Sequence, residues 1–282
     1  MHTPVMLEQT IELLRPSQGK TIVDCTLGFG GHSAALLAKG AAVIGIDRDD
    51  DALQAAGEKL SKYPGFRALK GNFKDIGALI EDKVDGFLFD LGVSSYQIDR
   101  PERGFSSRYD GPLDMRMDRS RPLSALEVVN DYPQEDLERI FFDYGEERFG
   151  RRIARAVVNA RQVKEIGTTG ELKAIVERAI PTWKKRESVA RIFQAIRIEV
   201  NDELNSLSSA LNSAIDRLDP GGRIVVISYH SLEDRIAKKL FVEGKKNGIL
   251  ELVTRKPLTA GEAEILANPR AKSAKLRCAE KK

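Results

Sequence analysis

The sequence is poor in the residues that build cross-links and metal centres. Its 282 residues include two cysteines, Cys25 and Cys278, and three histidines, His2, His32 and His230. None of these falls at metal-ligand spacing, so no metal is expected. Two distant thiols also exclude a disulfide-stapled secreted scaffold and suggest a reducing compartment. No run approaches the ~18 consecutive apolar residues of a spanning helix, so no membrane is expected. The first residues, Met1-His2-Thr3-Pro4-Val5-Met6, have neither the basic nor the apolar region of a signal peptide, and a cytoplasmic location is expected. Internal repeats and low-complexity segments are absent.

An excess of one charge is lacking too: 45 basic residues nearly balance 42 acidic ones. Their distribution is uneven. Arg148 to Lys164 holds six basic residues and no acidic one, and Asn268 to Lys282 holds six against Glu280 alone. Such clusters suit a phosphate backbone. A solvated helix face and a frayed terminus are the plainer alternative.

The hydrophobic period places the elements. Thr3 and Pro4 suit the start of a first helix carrying Leu7, Ile11 and Leu14. Thr21–Leu27 is a β-branched run ending in Gly28-Phe29-Gly30-Gly31, and a helix from His32 to about Lys39 follows. Ala41–Asp47 is a second strand, with a helix from Asp50 to about Lys62. Strands near Arg67–Gly71 and Val84–Leu91 continue the alternation, which predicts a parallel sheet covered on both faces. From Tyr109 to Ser188 only helix signals occur, with capping-box patterns at Ser124–Glu127 and Thr168–Glu171. Pro181-Thr182-Trp183-Lys184-Lys185-Arg186 reads as an exposed connector. Apolar residues from Val189 to Leu218 keep a period near 3.6 and predict one long helix, stopped by Asp219-Pro220-Gly221-Gly222. Arg223–Ser228 resumes the sheet, with later strands near Leu250–Thr254 and Ala274–Cys278. The expected fold is α/β: a doubly wound, mostly parallel sheet formed by residues 1–108 and 189–282, interrupted by an all-helical domain over 109–188.

Ligands of such sheets bind beyond the carboxyl ends of the strands. Gly28, Gly30 and Gly31 close strand one there, and backbone without Cβ atoms can approach a ligand closely. Asp47 ends strand two, 19 residues after Gly28, where an acid can accept from both ribose hydroxyls of an adenosine. A dinucleotide fingerprint needs a third glycine where Ser33 stands. With Asp24 ahead of the loop, S-adenosylmethionine fits better than a nicotinamide cofactor, though the latter stays as a rival.

Strand four delivers Asp90 into Leu91-Gly92-Val93-Ser94-Ser95-Tyr96-Gln97. An exocyclic base amine is a poor nucleophile because its lone pair is delocalised. Asp90 and Ser94 are candidate acceptors for its N–H, which would restore that lone pair. The plainer reading is that Asp90 caps a turn. Ser231 lacks a nucleophile elbow, and Ser231 with Asp234 reads as a capping box.

As a set, these motifs resemble the bacterial ribosomal RNA small-subunit methyltransferase H family, also called MraW. The resemblance runs through Asp24–Ser33, Gly45–Asp49, Asp90–Asp99, Arg103–Ser106, Pro112–Asp118, Tyr144–Glu147, Phe193–Ile198, Pro220–Arg223, Ser228–Arg235 and Asn268–Ala271. It implies a class I S-adenosylmethionine methyltransferase with a Rossmann-like core, acting on N4 of a cytidine in the decoding region of 16S rRNA within the small subunit. It also implies that the helical insertion helps hold RNA, and that Gly30, Gly31, His32, Asp47, Phe73, Asp90 and Gln97 contact the cofactor. A catalytically silent ribosome-assembly factor on the same fold is the second reading. One stretch departs from the family pattern: Glu187-Ser188-Val189 stand where His-Pro-Ala is usual, which would weaken one contact to the RNA backbone.

Overall fold

A computed structural model describes residues 4–282 of the chain. The elements run α1 (Leu7–Leu14), β1 (Thr21–Asp24), α2 (Gly31–Ala38), β2 (Ala42–Asp47), α3 (Asp50–Leu60), β3 (Phe66–Lys70), α4 (Ile76–Leu79) and β4 (Val84–Asp90). Helices follow: α5 (Ser95–Asp99), α6 (Ala125–Asp131), α7 (Gln134–Asp143), α8 (Gly150–Arg161), α9 (Thr169–Ala179), α10 (Lys185–Asn201) and α11 (Glu203–Arg217). The chain ends with β5 (Leu218–Ser228), α12 (Ser231–Lys246), β6 (Leu250–Leu252), α13 (Glu262–Ala267) and β7 (Lys275–Lys281).

The seven strands form one sheet in the order β3-β2-β1-β4-β5-β7-β6, parallel except for β7, which runs antiparallel between β5 and β6. Successive strand residues point to opposite faces. Val23, Phe87, Phe89, Ile224 and Val226 therefore enter the apolar cluster that also takes Leu207, Leu211 and Phe241. Ile22, Leu88, Val225 and Ile227 enter the other, with Leu14, Leu36 and Leu60. This double burial explains why the strands read as near-continuous apolar runs.

Residues up to Gly92 and from Leu204 to Lys282 make this unit, and Val93–Glu203 makes a second. These boundaries replace the 109 and 188 expected from sequence. On the upstream side Phe105 already belongs to the helical core. On the downstream side α10 spends its apolar face, Val189, Ile192, Phe193, Ile196 and Val200, in that same core rather than on the sheet. The second unit has capping boxes at Ser124–Glu127 and Thr168–Glu171, as the sequence predicts.

Other differences have local causes. The expected long helix is two, because Asp202 takes a left-handed conformation (φ 49°) that ends α10. An apolar period that resumes after one residue conceals such a break. The first helix starts at Leu7, not Pro4, since Val5 and Met6 turn into the core first; Thr3 lies outside the described residues. The helix after β5 is capped one residue earlier than expected, by His230 and Glu233 rather than Ser231 and Asp234. The basic tail is not frayed. Lys275–Lys281 form β7, where Arg277 is buried against Asp234 (Nε to Oδ1, 2.6 Å) and Lys281 Nζ donates to the Ile215 carbonyl (2.5 Å). Among the described residues no helix is long and apolar enough to cross a membrane.

Candidate active site

The carboxyl ends of β3, β2, β1, β4 and β5 form one row, and the segments leaving them carry most of the residues singled out from sequence. After β1 the chain turns tightly, with Gly30 N–H donating to the Leu27 carbonyl (2.8 Å) and Gly30 in the left-handed region (φ 64°) as the N-cap of α2. The missing Cβ atoms serve packing first. A Cβ on Gly30 would lie 2.7 Å from Leu60 Cδ1, and one on Gly31 would lie 2.5 Å from Pro4 Cγ. The two glycines thus let α2 settle against its own chain, and so fix its amino end.

Asp47 closes β2, and its carboxylate organises two loops at once. Oδ2 accepts from Gly28 N–H (2.8 Å) and Oδ1 from Asp49 N–H (3.0 Å). Burial nevertheless pushes its pKa above the ordinary carboxylate value, with those hydrogen bonds working against the rise. Gly71 N–H donates to the Asp47 carbonyl (2.9 Å), which brings the next loop alongside. Phe73 opens a short 3-10 turn in that loop, half-buried, its ring edge-on to Phe89 at 6.0 Å and 80°.

Behind the glycine turn, Asp24 is buried and accepts from Ser33 Oγ (2.7 Å) and Thr26 N–H (3.3 Å). Ser33 occupies the position where a dinucleotide fingerprint needs glycine, and it is committed to this bond. His32, also buried, has Nε2 3.1 Å from the Val5 carbonyl. A carbonyl only accepts, so Nε2 carries the proton and Nδ1 faces Asp90 Oδ2 at 3.6 Å. Burial lowers the His32 pKa, favouring the neutral ring.

Asp90 ends β4 with its backbone N–H donating to Thr26 Oγ1 (2.7 Å). Its side chain is 23% exposed. Burial raises its pKa to about 7, against the Tyr229 hydrogen bond that lowers it, while nearby Glu233 adds to the rise. That bond runs from Tyr229 Oη to Asp90 Oδ1 (2.6 Å). Tyr229 is itself held by Glu233, whose Oε2 accepts its backbone N–H (2.8 Å). The sequence reading passed over Tyr229. A signal was present, because β5 pairs with β4 in parallel, with Asp90 opposite Ile227, so the residue two places on emerges beside Asp90.

Ser94 and Gln97 lie in the helical unit, where they cap α5 reciprocally. Gln97 N–H donates to Ser94 Oγ (3.2 Å), and Ser94 N–H donates to Gln97 Oε1 (3.0 Å). Ser94 thus has a structural use that the sequence reading did not assign to it.

The acceptor at the end of β2 suits the ribose of an adenosine. Asp47 is held rigidly by two backbone donors, and a carboxylate offers about four lone-pair sites, so acceptors remain for two ribose hydroxyls. The fold and these loops define a class of enzyme, the Rossmann-like methyltransferases. The chain matches the MraW methylase family over residues 1–282, and it belongs to that family. It is 48% identical over 304 residues to a protein of Carboxydothermus hydrogenoformans, covering 99% of this chain and 97% of that one. A Persephonella marina protein is 48% identical over 290 residues, covering 99% of each chain. A Heliobacterium modesticaldum protein is 45% identical over 308 residues, covering 99% and 98%. All three are named ribosomal RNA small subunit methyltransferase H.

Proposed function

We propose that the chain transfers a methyl group from S-adenosylmethionine to N4 of a cytidine in the decoding region of 16S rRNA, acting on the small ribosomal subunit in the cytoplasm. The observation that carries this reading is Asp90: a largely buried acid at the end of β4, fixed by Tyr229 through one oxygen. Its other oxygen keeps lone pairs for an incoming N–H.

S-adenosylmethionine, when bound, supplies an electrophilic methyl group. Asp47 would accept from the ribose hydroxyls and Phe73 would pack on the adenine. Gly30, Gly31 and His32 would hold the methionine end. Asp90 accepts from the cytosine N4–H, which returns lone-pair density to nitrogen and aims it at the methyl carbon. A base paired in a helix cannot reach that position, so the cytidine enters unpaired or flipped out. Transfer would form the N4–carbon bond as the sulfur–carbon bond breaks, and the cationic N4 would then shed its proton.

The helical unit supplies phosphate contacts in this reading. Arg151, Arg152 and Arg155 stand exposed on α8. The departure at Glu187 is compensated locally: its carboxylate meets Lys184 Nζ and Arg191 Nη2, each at 2.6 Å, so the acid is neutralised. The test separates an enzyme from a silent assembly factor. Small subunits from cells lacking the activity are incubated with labelled S-adenosylmethionine and either the wild-type protein or Asp90→Asn. Transfer by the wild type alone, with cofactor binding in both, supports the reading; no transfer by either, with binding intact, favours the assembly factor.

A further inference from the structure

We propose that Trp183 is a platform on which an unpaired base of the RNA stacks, with Lys185 and Arg186 beside it for the adjoining phosphates. This rests on the RNA reading above. Trp183 is 72% exposed, yet the chain around it is anchored: Ile180 is 5% exposed and Val189 3%. Between them a 3-10 turn, Thr182–Lys184, is closed by Lys184 N–H on the Pro181 carbonyl (3.0 Å). The indole therefore projects from a pinned turn rather than from a loose end. Ile180 and Val189 anchor the segment at either end, while Pro181 to Glu187 between them are exposed or half-buried, so the indole stands on an accessible surface.

The charge around it selects the partner. Arg178, Lys184, Lys185 and Arg186 are the charged residues between Glu177 and Glu187. Lys184 Nζ lies 5.2 Å from the indole centroid. Glu187 is paired with Lys184 and Arg191, and Arg148 also acts on it, lowering its pKa. The loop before α8 packs on α10, with Gln194 Nε2 donating to the Tyr144 carbonyl (3.0 Å) and Arg191 Nη1 to that of Glu146 (3.3 Å). The basic run that opens at Arg148 thus reaches the surroundings of the tryptophan. A protein partner for an exposed indole calls for an apolar rim. Here the rim is cationic, the combination that binds single-stranded nucleic acid through base stacking and phosphate contacts.

Trp183 is the only tryptophan in the sequence, so its emission reports on this position alone. The full chain is titrated with an RNA oligonucleotide of the small-subunit decoding region, following tryptophan emission and, with a dye-labelled copy, anisotropy. The expected result is quenching that tracks the anisotropy midpoint. Trp183→Ala should weaken binding ~5- to 150-fold, the range of one lost base stack, with Trp183→Phe losing less and the melting temperature unchanged. Binding with unchanged emission, and with Trp183→Ala equal to wild type, overturns the platform while leaving the RNA reading intact. An absence of binding by the wild type to the oligonucleotide and to small subunits alike overturns both. Quenching by small-subunit proteins but not by RNA would give the surface to a protein partner and overturn the proposal.

Discussion

The Tyr229 hydroxyl donates to Asp90 Oδ1 across 2.6 Å and so ties together the ends of two adjacent parallel strands. Burial and the neighbouring acid push the Tyr229 pKa well above 10, so it stays a neutral donor at any working pH. Asp90, by contrast, titrates at about 7, and only its ionised form is a full acceptor for an amine.

Methyl transfer should therefore rise with pH through about 7. The Tyr229 bond lowers the Asp90 pKa, so Tyr229→Phe raises it. The acid limb should move to higher pH, with activity several-fold down at pH 7 and largely recovered near pH 9. Single-turnover rates across pH check this, and an unmoved limb contradicts it.

The same acid costs stability. Its folded pKa is about 7 against an ordinary 3.8, so the folded state favours the protonated form. The penalty is absent below pH 3.8, grows as pH rises and is complete above about 7. Asp90→Asn removes it while keeping an acceptor for Tyr229. The variant should be inactive yet more stable than wild type at pH 8, on the order of 2 kcal/mol allowing for partial exposure, with a smaller gain at pH 5. Denaturant unfolding at both pH values measures it, and an equal gain at the two would contradict the account.

Much of this site was legible because its chemistry sits at strand ends. Asp47 and Asp90 interrupt apolar runs, and glycines beside them mark turns. The 19-residue spacing from Gly28 to Asp47 is realised as a direct hydrogen bond. What was hidden depended on pairing between distant segments. Tyr229 matters only because β5 lies next to β4, and Pro4 only because Gly31 leaves room for it. The tail was hidden for the same reason: of its six basic residues, Lys275, Arg277 and Lys281 enter β7, where Asp234 and a carbonyl supply partners. The break at Asp202 carries only a weak signal: aspartate is among the few non-glycine residues that enter the left-handed region, but the apolar period resumes at once beyond it.

Asp47→Ala should weaken S-adenosylmethionine binding on the order of 100-fold, the loss of two hydrogen bonds to a charged acceptor. Because Asp47 also holds Gly28 and Asp49, Asp47→Asn is the companion variant. It retains side-chain acceptor capacity and should fall between the two. Calorimetric titration reads both, and wild-type affinity in the alanine variant would remove Asp47 from the cofactor site.

At Asp202 the backbone conformation (φ 49°) sets the expectation. Asp202→Gly should be neutral or mildly stabilising, whereas Asp202→Val should destabilise by about 1–2 kcal/mol, the cost of a branched side chain in the left-handed region. Chemical denaturation distinguishes them; equal stabilities would mean that the break between α10 and α11 relaxes.

The most direct test of the central claim identifies the product. Small subunits lacking the modification are incubated with the protein and isotopically labelled S-adenosylmethionine, the 16S rRNA is digested, and its nucleosides are analysed by mass spectrometry. The account predicts label on N4 of a cytidine from the decoding region. Label on another atom or another base, or none while the cofactor still binds, would contradict it.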